Sequence, residues 1–121
     1  FTEQIRQHAA ADGFVPFDLV FLGMGPDGHV ASLFPGQSIA QADESIIAVP
    51  DSPKPPAERL SFSYLALARA KDVVFVVAGA DKAEAVASAF GEKYSELPAA
   101  RVRGVDSSVL MADEAALSQL F

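Results

Sequence analysis

The sequence predicts an α/β fold with a largely parallel sheet, because short apolar runs alternate with segments of helical composition. The strongest strand signal is DVVFVVA at 72–78, which Gly79 ends. A second apolar run, FDLVFL at 17–22, is interrupted only by Asp18 and is of the kind that is buried on both faces of a sheet. No internal repeat interrupts this alternation along the 121 residues.

The other elements are predicted from composition and from the residues at their ends. The sequence PDSPKPP at 50–56 contains four prolines, which exclude a helix or a central strand there. Asp81 and Asp113 are predicted to cap the helices that follow them. Further strands are predicted at 45–49, 59–63 and 107–112, and helices at 2–11, 64–70, 81–90 and 114–121.

Composition limits the classes of protein to consider. Half of the residues are hydrophobic, enough to fill a core, and no apolar run approaches the roughly 20 residues of a membrane span. The net charge of −7 argues against nonspecific nucleic-acid binding. The absence of cysteine excludes disulfides and thiolate zinc sites and fits a cytosolic protein. No histidines and carboxylates have metal-ligand spacing, so no metal site is expected.

The stretch GMGPDGHVASLFPG at 23–36 directly follows the apolar run at 17–22. Its first three glycines allow a sharp turn and a close approach of the backbone to another group. In open α/β sheets, ligands bind at the carboxyl ends of the strands. The amides around Gly25 to Gly28 could therefore hold an oxyanion or a phosphate, although glycine turns of this kind are common.

His29 is the candidate catalytic base, because an imidazole can exchange a proton near neutral pH. A lone histidine is more often a capping or core residue, but the glycines and the aspartate around this one favour function. Asp27 could orient or polarise the ring, or could bond to the turn amides, and the sequence leaves both open.

Two cations outside this stretch are candidate ligands for an anion. Lys82 is predicted in the first turn of a helix, where the macrodipole is unfavourable for a lysine unless an anion binds nearby. Arg59 follows the proline-rich segment, and a guanidinium can bind a phosphate through two hydrogen bonds. Lys54, within the same segment, is interpreted as an ordinary exposed charge.

Three stretches, DLVFLGMGPDGHVASLFPG, SPKPPAERLSFSYLALARAKDVVFVVAGADKAEAV and LPAARV, resemble the 6-phosphogluconolactonase family. That family shares a Rossmann-like fold with the glucosamine-6-phosphate deaminases and related sugar-phosphate isomerases. The deaminases have Asn-Glu-Pro where this chain has Leu33-Phe34-Pro35. The missing glutamate favours the lactonases, because ring opening and amine release call on that carboxylate.

The resemblance implies hydrolysis of 6-phosphogluconolactone in the pentose phosphate pathway. His29 would take a proton from the water that attacks the C1 carbonyl. Lys82 and Arg59 would hold the sugar phosphate, and Asp27 and the turn at Gly25 to Gly28 would shape the pocket. The only partner implied is this small phosphorylated lactone, and ester hydrolysis of this kind needs no cofactor.

Members of the family also have an N-terminal half with a Gly-Gly-Ser/Thr-Thr-Pro phosphate loop, which this sequence lacks. Residues 1–121 are therefore expected to form the C-terminal portion of one larger domain, and on their own to lack activity and to associate. Leu110-Met111 also stands where the family often has a tryptophan. A deaminase-like isomerase and a non-catalytic sugar-phosphate-binding module remain the alternatives.

Overall fold

The computed structural model describes residues 2–37, 43–91 and 94–121. The described strands are β1 (Leu19–Leu22), β2 (Ile46–Val49), β3 (Arg59–Phe62), β4 (Asp72–Val77) and β5 (Ser107–Ala112). The described helices are α1 (Thr2–Arg6), α2 (Tyr64–Leu67), α3 (Ala83–Gly91), α4 (Pro98–Arg101) and α5 (Glu114–Leu117). The 3₁₀ turn Ala80–Lys82 leads into α3. No helix in these ranges is long and apolar enough to cross a membrane.

The main sheet has three parallel strands in the order β1-β4-β5, and β2 and β3 pair separately as an antiparallel ribbon. The register aligns Leu22 of β1 with Phe75 of β4, and Phe75 with Leu110 of β5. The predicted α/β fold with a parallel sheet is thus confirmed. Because the three strands run in the same direction, their carboxyl ends meet at one edge of the sheet.

One face of the main sheet forms the core. Val73, Phe75 and Val77 alternate along β4 and are at most 3% exposed. They pack with Leu22 of β1 and with α3, whose Val86 is fully buried. The Phe75 and Phe90 rings also meet edge to face, with 5.0 Å between their centroids. Alternation in β4 and amphipathicity in α3 therefore fix which face of each element is buried.

The opposite face of the sheet is uncovered among the described residues. Phe21 is 64% exposed, and on β4 and β5 Val76 and Met111 are also exposed. The register places Phe21 beside Val74, and Val74 beside Val109, so the exposed apolar side chains lie in adjacent rows. The apolar pattern of 17–22 predicts cover on both faces, and the described helices and loops supply it only on the Phe75 face.

Several predicted boundaries also differ from the observed ones. The N-cap before α3 is Gly79, and Asp81 lies inside the 3₁₀ turn, so its predicted capping role is wrong. Asp113 does cap α5, since its side chain accepts a hydrogen bond from the Ala116 amide. The first and last helices are shorter than the predicted 2–11 and 114–121, because turns replace their ends.

We expect the uncovered face to drive self-association of this chain, since contiguous exposed apolar surface promotes protein contacts. The double variant Phe21→Thr/Met111→Thr introduces threonine, a β-branched residue that favours strands, while removing apolar area. Sedimentation velocity should show less oligomer for this variant than for the parent. Leu60→Thr is the matched control, because Leu60 is 63% exposed but belongs to the β2–β3 ribbon.

A parent chain that sediments as a monomer at all accessible concentrations would contradict the expectation. So would an equal reduction in oligomer for the Leu60→Thr control.

Candidate active site

The glycine turn begins directly after β1, at the carboxyl edge of the main sheet. At Gly25, a Cβ would overlap the His29 ring, so only glycine leaves room for that imidazole. Gly28 has φ +86°, and a Cβ there would lie 2.8 Å from Leu97 Cδ1. The backbone closes through hydrogen bonds from the Gly25 amide to the His29 carbonyl (3.0 Å) and from the Gly28 amide to the Gly25 carbonyl (2.9 Å).

These hydrogen bonds limit which amides of the turn could bind an anion. The amides of Gly25 and Gly28 are both donors within the turn, so neither N–H is available to a ligand in this conformation. Each glycine instead has a steric reason to be there, close to His29 in one case and to Leu97 in the other. Contact of the two glycines with substrate stays a prediction, and it rests on the shape of the turn.

Asp27 and His29 form a hydrogen-bonded pair. Asp27 Oδ1 lies 2.6 Å from His29 Nδ1 and also accepts from the His29 backbone amide at 3.1 Å. Both roles that the sequence left open for Asp27 are thus present, because one oxygen contacts the ring and a turn amide. A carboxylate can only accept, so the neutral imidazole carries its proton on Nδ1. Nε2 is then the basic nitrogen of the ring.

The environment of this pair is part protein and part solvent. The His29 side chain is 18% exposed and that of Asp27 is 34% exposed. Burial raises the pKa of the Asp27 carboxyl, but the hydrogen bonds from the His29 ring and amide, with the charges of His29 and Lys54, lower the pKa further than burial raises it. The net effect is a pKa below its ordinary value, so the carboxylate is ionised at neutral pH.

Phe34 packs against the imidazole ring of His29. Its ring centroid lies 4.6 Å from that of His29, and the side chain is only 3% exposed. The backbone nearby is tied to β3, because the Ser32 amide donates to the buried Ser61 hydroxyl at 3.1 Å. The segment 29–34 is therefore held both by its own turn and by the β2–β3 ribbon.

Lys82 lies at the same edge of the sheet, in the 3₁₀ turn after β4. The turn is fixed by Asp113, whose carboxylate oxygens lie 3.1 and 3.2 Å from the Gly79 amide nitrogen. The same carboxylate accepts from Ala116 at 2.9 Å, and these backbone hydrogen bonds lower the pKa of Asp113. Lys82 is half-buried, and within the described ranges no carboxylate lies within ion-pair distance of its ammonium.

Arg59 begins β3 and turns back onto the proline-rich segment. Its Nε donates to the Pro56 carbonyl at 3.1 Å, and its Nη2 donates to the carbonyls of Lys54 (3.1 Å) and Pro55 (3.0 Å). Two of its three nitrogens are thus committed to the backbone of its own loop. A phosphate contact by Arg59 stays a prediction, which Nη1 alone would have to satisfy.

Lys54 was interpreted from its sequence as an ordinary exposed charge, and the structure corrects this interpretation. Its side chain is half-buried, and its charge contributes to the lowered pKa of Asp27. Its backbone is fixed by Ser52, whose hydroxyl donates to the Lys54 carbonyl at 2.8 Å and accepts from the Lys54 amide at 3.2 Å. The one sequence signal was the proline-rich segment, because a stiff loop keeps a lysine in place. Among the described residues no cluster of histidines and carboxylates could hold a metal ion.

The family model described as glucosamine-6-phosphate isomerases/6-phosphogluconolactonase matches residues 1–111. The chain is 44% identical over 117 residues to 6-phosphogluconolactonase 3, chloroplastic, of Arabidopsis thaliana, covering 96% of this chain and 36% of that protein. It is 41% identical over 104 residues to the 6-phosphogluconolactonase of Rattus norvegicus, covering 85% and 40%. The chain thus spans less than half the length of these relatives.

Solved structures give the same result for the fold. The crystal structure of a devB protein superposes with a TM-score of 0.88 at 27% identity, covering 99% of this chain and 52% of that one. The 6-phosphogluconolactonase of Thermotoga maritima gives a TM-score of 0.79 at 31% identity, covering 92% and 47%. The described architecture is therefore that of about half of each structure.

We expect Asp27 to stabilise the fold only while it is ionised. Because its pKa is lower in the folded chain than the unfolded value of 3.8, its contribution is complete above that value and is lost as the pH falls through the folded pKa. Asp27→Asn should melt below the parent at neutral pH, and the gap should close as the pH is lowered below 3.8. Melting temperatures by calorimetry measure this.

Asp51→Asn is the control, since Asp51 is exposed on the proline-rich segment. A gap between parent and Asp27→Asn that stays constant across the acidic range would show that the carboxylate charge is irrelevant to stability.

Proposed function

Because the chain belongs to the glucosamine-6-phosphate isomerase/6-phosphogluconolactonase family, we propose that it carries the catalytic base of a 6-phosphogluconolactonase. The reaction is hydrolysis of 6-phospho-D-glucono-1,5-lactone to 6-phosphogluconate in the oxidative pentose phosphate pathway. The observation that carries the proposal is the Asp27–His29 pair, with Nδ1 held at 2.6 Å and Nε2 left as the base. The names of the relatives support the choice of a lactone as substrate.

In the proposed mechanism, His29 Nε2 takes a proton from water as the water oxygen bonds to C1 of the lactone. The carbonyl electrons move to the C1 oxygen and form a tetrahedral intermediate. When the carbonyl re-forms, the bond from C1 to the ring oxygen breaks, and that oxygen receives the proton from Nε2. The Asp27 carboxylate stabilises the transient imidazolium and keeps its ring aligned. One water is consumed and His29 returns to its neutral form, so no cofactor is needed.

Lys82 is proposed to bind the substrate phosphate. Its turn follows β4, which pairs directly with β1, so the ammonium and the His29 turn belong to neighbouring strand ends. The ammonium has no carboxylate partner in the described part of the chain, and a substrate phosphate would supply a negatively charged partner. The Asp113 carboxylate fixes the backbone that carries this lysine.

The residues at 33–35 argue against a deaminase-like reaction. Leu33 and Phe34 are 1% and 3% exposed, and Phe34 packs on the His29 ring. A carboxylate in place of either would have to be buried among apolar side chains, at a large cost in solvation.

A non-catalytic binding module would bind the sugar phosphate without turnover. A cytoplasmic location stays a prediction from the lack of cysteine.

Replacing His29 by Asn should lower lactone hydrolysis by about two or more orders of magnitude, because the general base is lost. The assay uses the polypeptide that carries residues 1–121 with any flanking sequence that its gene encodes. The control is His8→Asn, at an exposed position after α1, which should leave the rate unchanged. A folded His29→Asn variant with a rate within a few-fold of the parent would remove His29 from the mechanism.

Lys82→Ala should raise KM for the phosphorylated lactone far more than KM for unphosphorylated gluconolactone, because the lost contact is to the phosphate. Lys71→Ala is the matched control. Lys71 precedes β4, at the amino edge of the sheet, and its ammonium pairs with Asp18 at 3.0 Å. Equal effects of Lys82→Ala on both substrates would mean that Lys82 acts on the structure or on the chemical step.

A further inference from the structure

Arg59 contacts both the proline-rich segment that precedes it and Phe34, which lies 25 positions earlier in the sequence. Its guanidinium makes three hydrogen bonds, to the carbonyls of Lys54, Pro55 and Pro56. Pro55 and Pro56 can donate no backbone N–H, so this stretch cannot be fixed by an ordinary ladder of hydrogen bonds. A planar fork of donors aimed at successive carbonyls supplies the missing constraint. Together with the Ser52 hydroxyl, Arg59 therefore constrains the path of the loop that carries Lys54.

The Arg59 guanidinium also contacts the Phe34 ring, which packs on the candidate catalytic base His29. Arg59 Cζ lies 5.5 Å from the centroid of Phe34, and the Phe34 ring packs on His29 with 4.6 Å between centroids. Phe34 is almost fully buried, so it cannot move without disturbing its neighbours. Arg59 thus contacts Phe34, and the Phe34 ring in turn packs on the imidazole, whose Nδ1 is bound by Asp27.

We propose that Arg59 is a positioning residue for the His29 centre, holding Phe34 against the imidazole and constraining the loop that carries Lys54, and that it does not bind the phosphate. The catalytic part of this statement rests on the proposed function. Two observations are independent of it, namely the three carbonyl bonds and the Arg59–Phe34–His29 contacts. The lowered pKa of Asp27, to which Lys54 contributes, is consistent with the loop lying close to the pair.

The first test needs no enzyme activity. In protein labelled with ¹³C-histidine, Arg59→Ala should shift and broaden the ring resonances of His29, because Phe34 loses its support. The ring resonances of His8 are the internal control and should not move. His8 is exposed and precedes the glycine turn by some fifteen residues. If the His29 resonances are unchanged in Arg59→Ala, the proposal is wrong.

The second test compares substrates. Arg59→Ala should lower kcat by roughly ten- to a hundredfold, the size expected for a small misplacement of a catalytic group, and equally for the phosphorylated and unphosphorylated lactones. A KM increase confined to the phosphorylated lactone would overturn the proposal and make Arg59 a phosphate ligand. A loss of thermal stability with unchanged kcat would overturn it in favour of a purely structural role.

Two further variants keep the test decisive. Arg59→Lys retains a cation that can pack on Phe34 but lacks the fork for three carbonyls, so it should recover only part of kcat, and it replaces Arg59→Ala if that variant fails to fold. Phe34→Leu removes the ring through which Arg59 is inferred to act. Arg59→Ala should therefore lower kcat less in the Phe34→Leu background than in the parent, and additive losses would contradict the proposal.

A shift of the His29 resonances without any lactonase activity in the parent would leave the positioning role standing and remove the proposed function. The two failures are thus separable.

Discussion

The parallel pairing of β1 with β4 is the constraint on which the rest of the site depends. Parallel strands point their carboxyl ends to the same edge, so the chain leaves β1 into the glycine turn and leaves β4 into the Lys82 turn at neighbouring positions. The residues of the two turns are about fifty positions apart in sequence, and no local interaction could bring them together. β5 adds Asp113 at the same edge, where its carboxylate binds the Gly79 amide. The pairing of the strands thus brings the two turns to the same edge of the sheet. Within each turn, local interactions hold the side chain in place.

Within the glycine turn, steric room and a single acceptor oxygen decide the geometry. Gly25 leaves space that the imidazole occupies, and Asp27 Oδ1 receives both the His29 amide and Nδ1. Backbone and side chain of His29 are therefore fixed by the same oxygen, which couples the shape of the turn to the orientation of the ring. The Oδ1 of an asparagine could accept both hydrogen bonds, but the substitution would lose the negative charge that stabilises an imidazolium.

The sequence was sufficient for several features that local rules determine, although Asp81, predicted as a cap, lies inside the 3₁₀ turn. The run at 72–78 forms β4, and Asp113 caps α5. Asp27 and His29 are hydrogen-bonded because only Gly28 separates them within a tight turn. It was insufficient where the outcome depended on distant segments. Phe21 was predicted to be buried because its strand is apolar, but burial requires a second layer, and the described residues supply one only on the Phe75 face. Lys54 was interpreted as an exposed charge because nothing in PDSPKPP reveals that the loop folds towards Asp27.

Residue type alone does not determine which groups a cation contacts. Arg59 was matched to a phosphate because its fork suits two phosphate oxygens, but the same fork suits two or three backbone carbonyls. Which of these an arginine contacts depends on the loop beside it, and a loop rich in proline offers carbonyls that have no amide donors of their own nearby. Lys82 differs in both respects. Its ammonium is a compact charge, and its turn is already satisfied by Asp113, so the lysine itself has no structural task among the described residues. A cation that the fold does not use is the better candidate for a ligand.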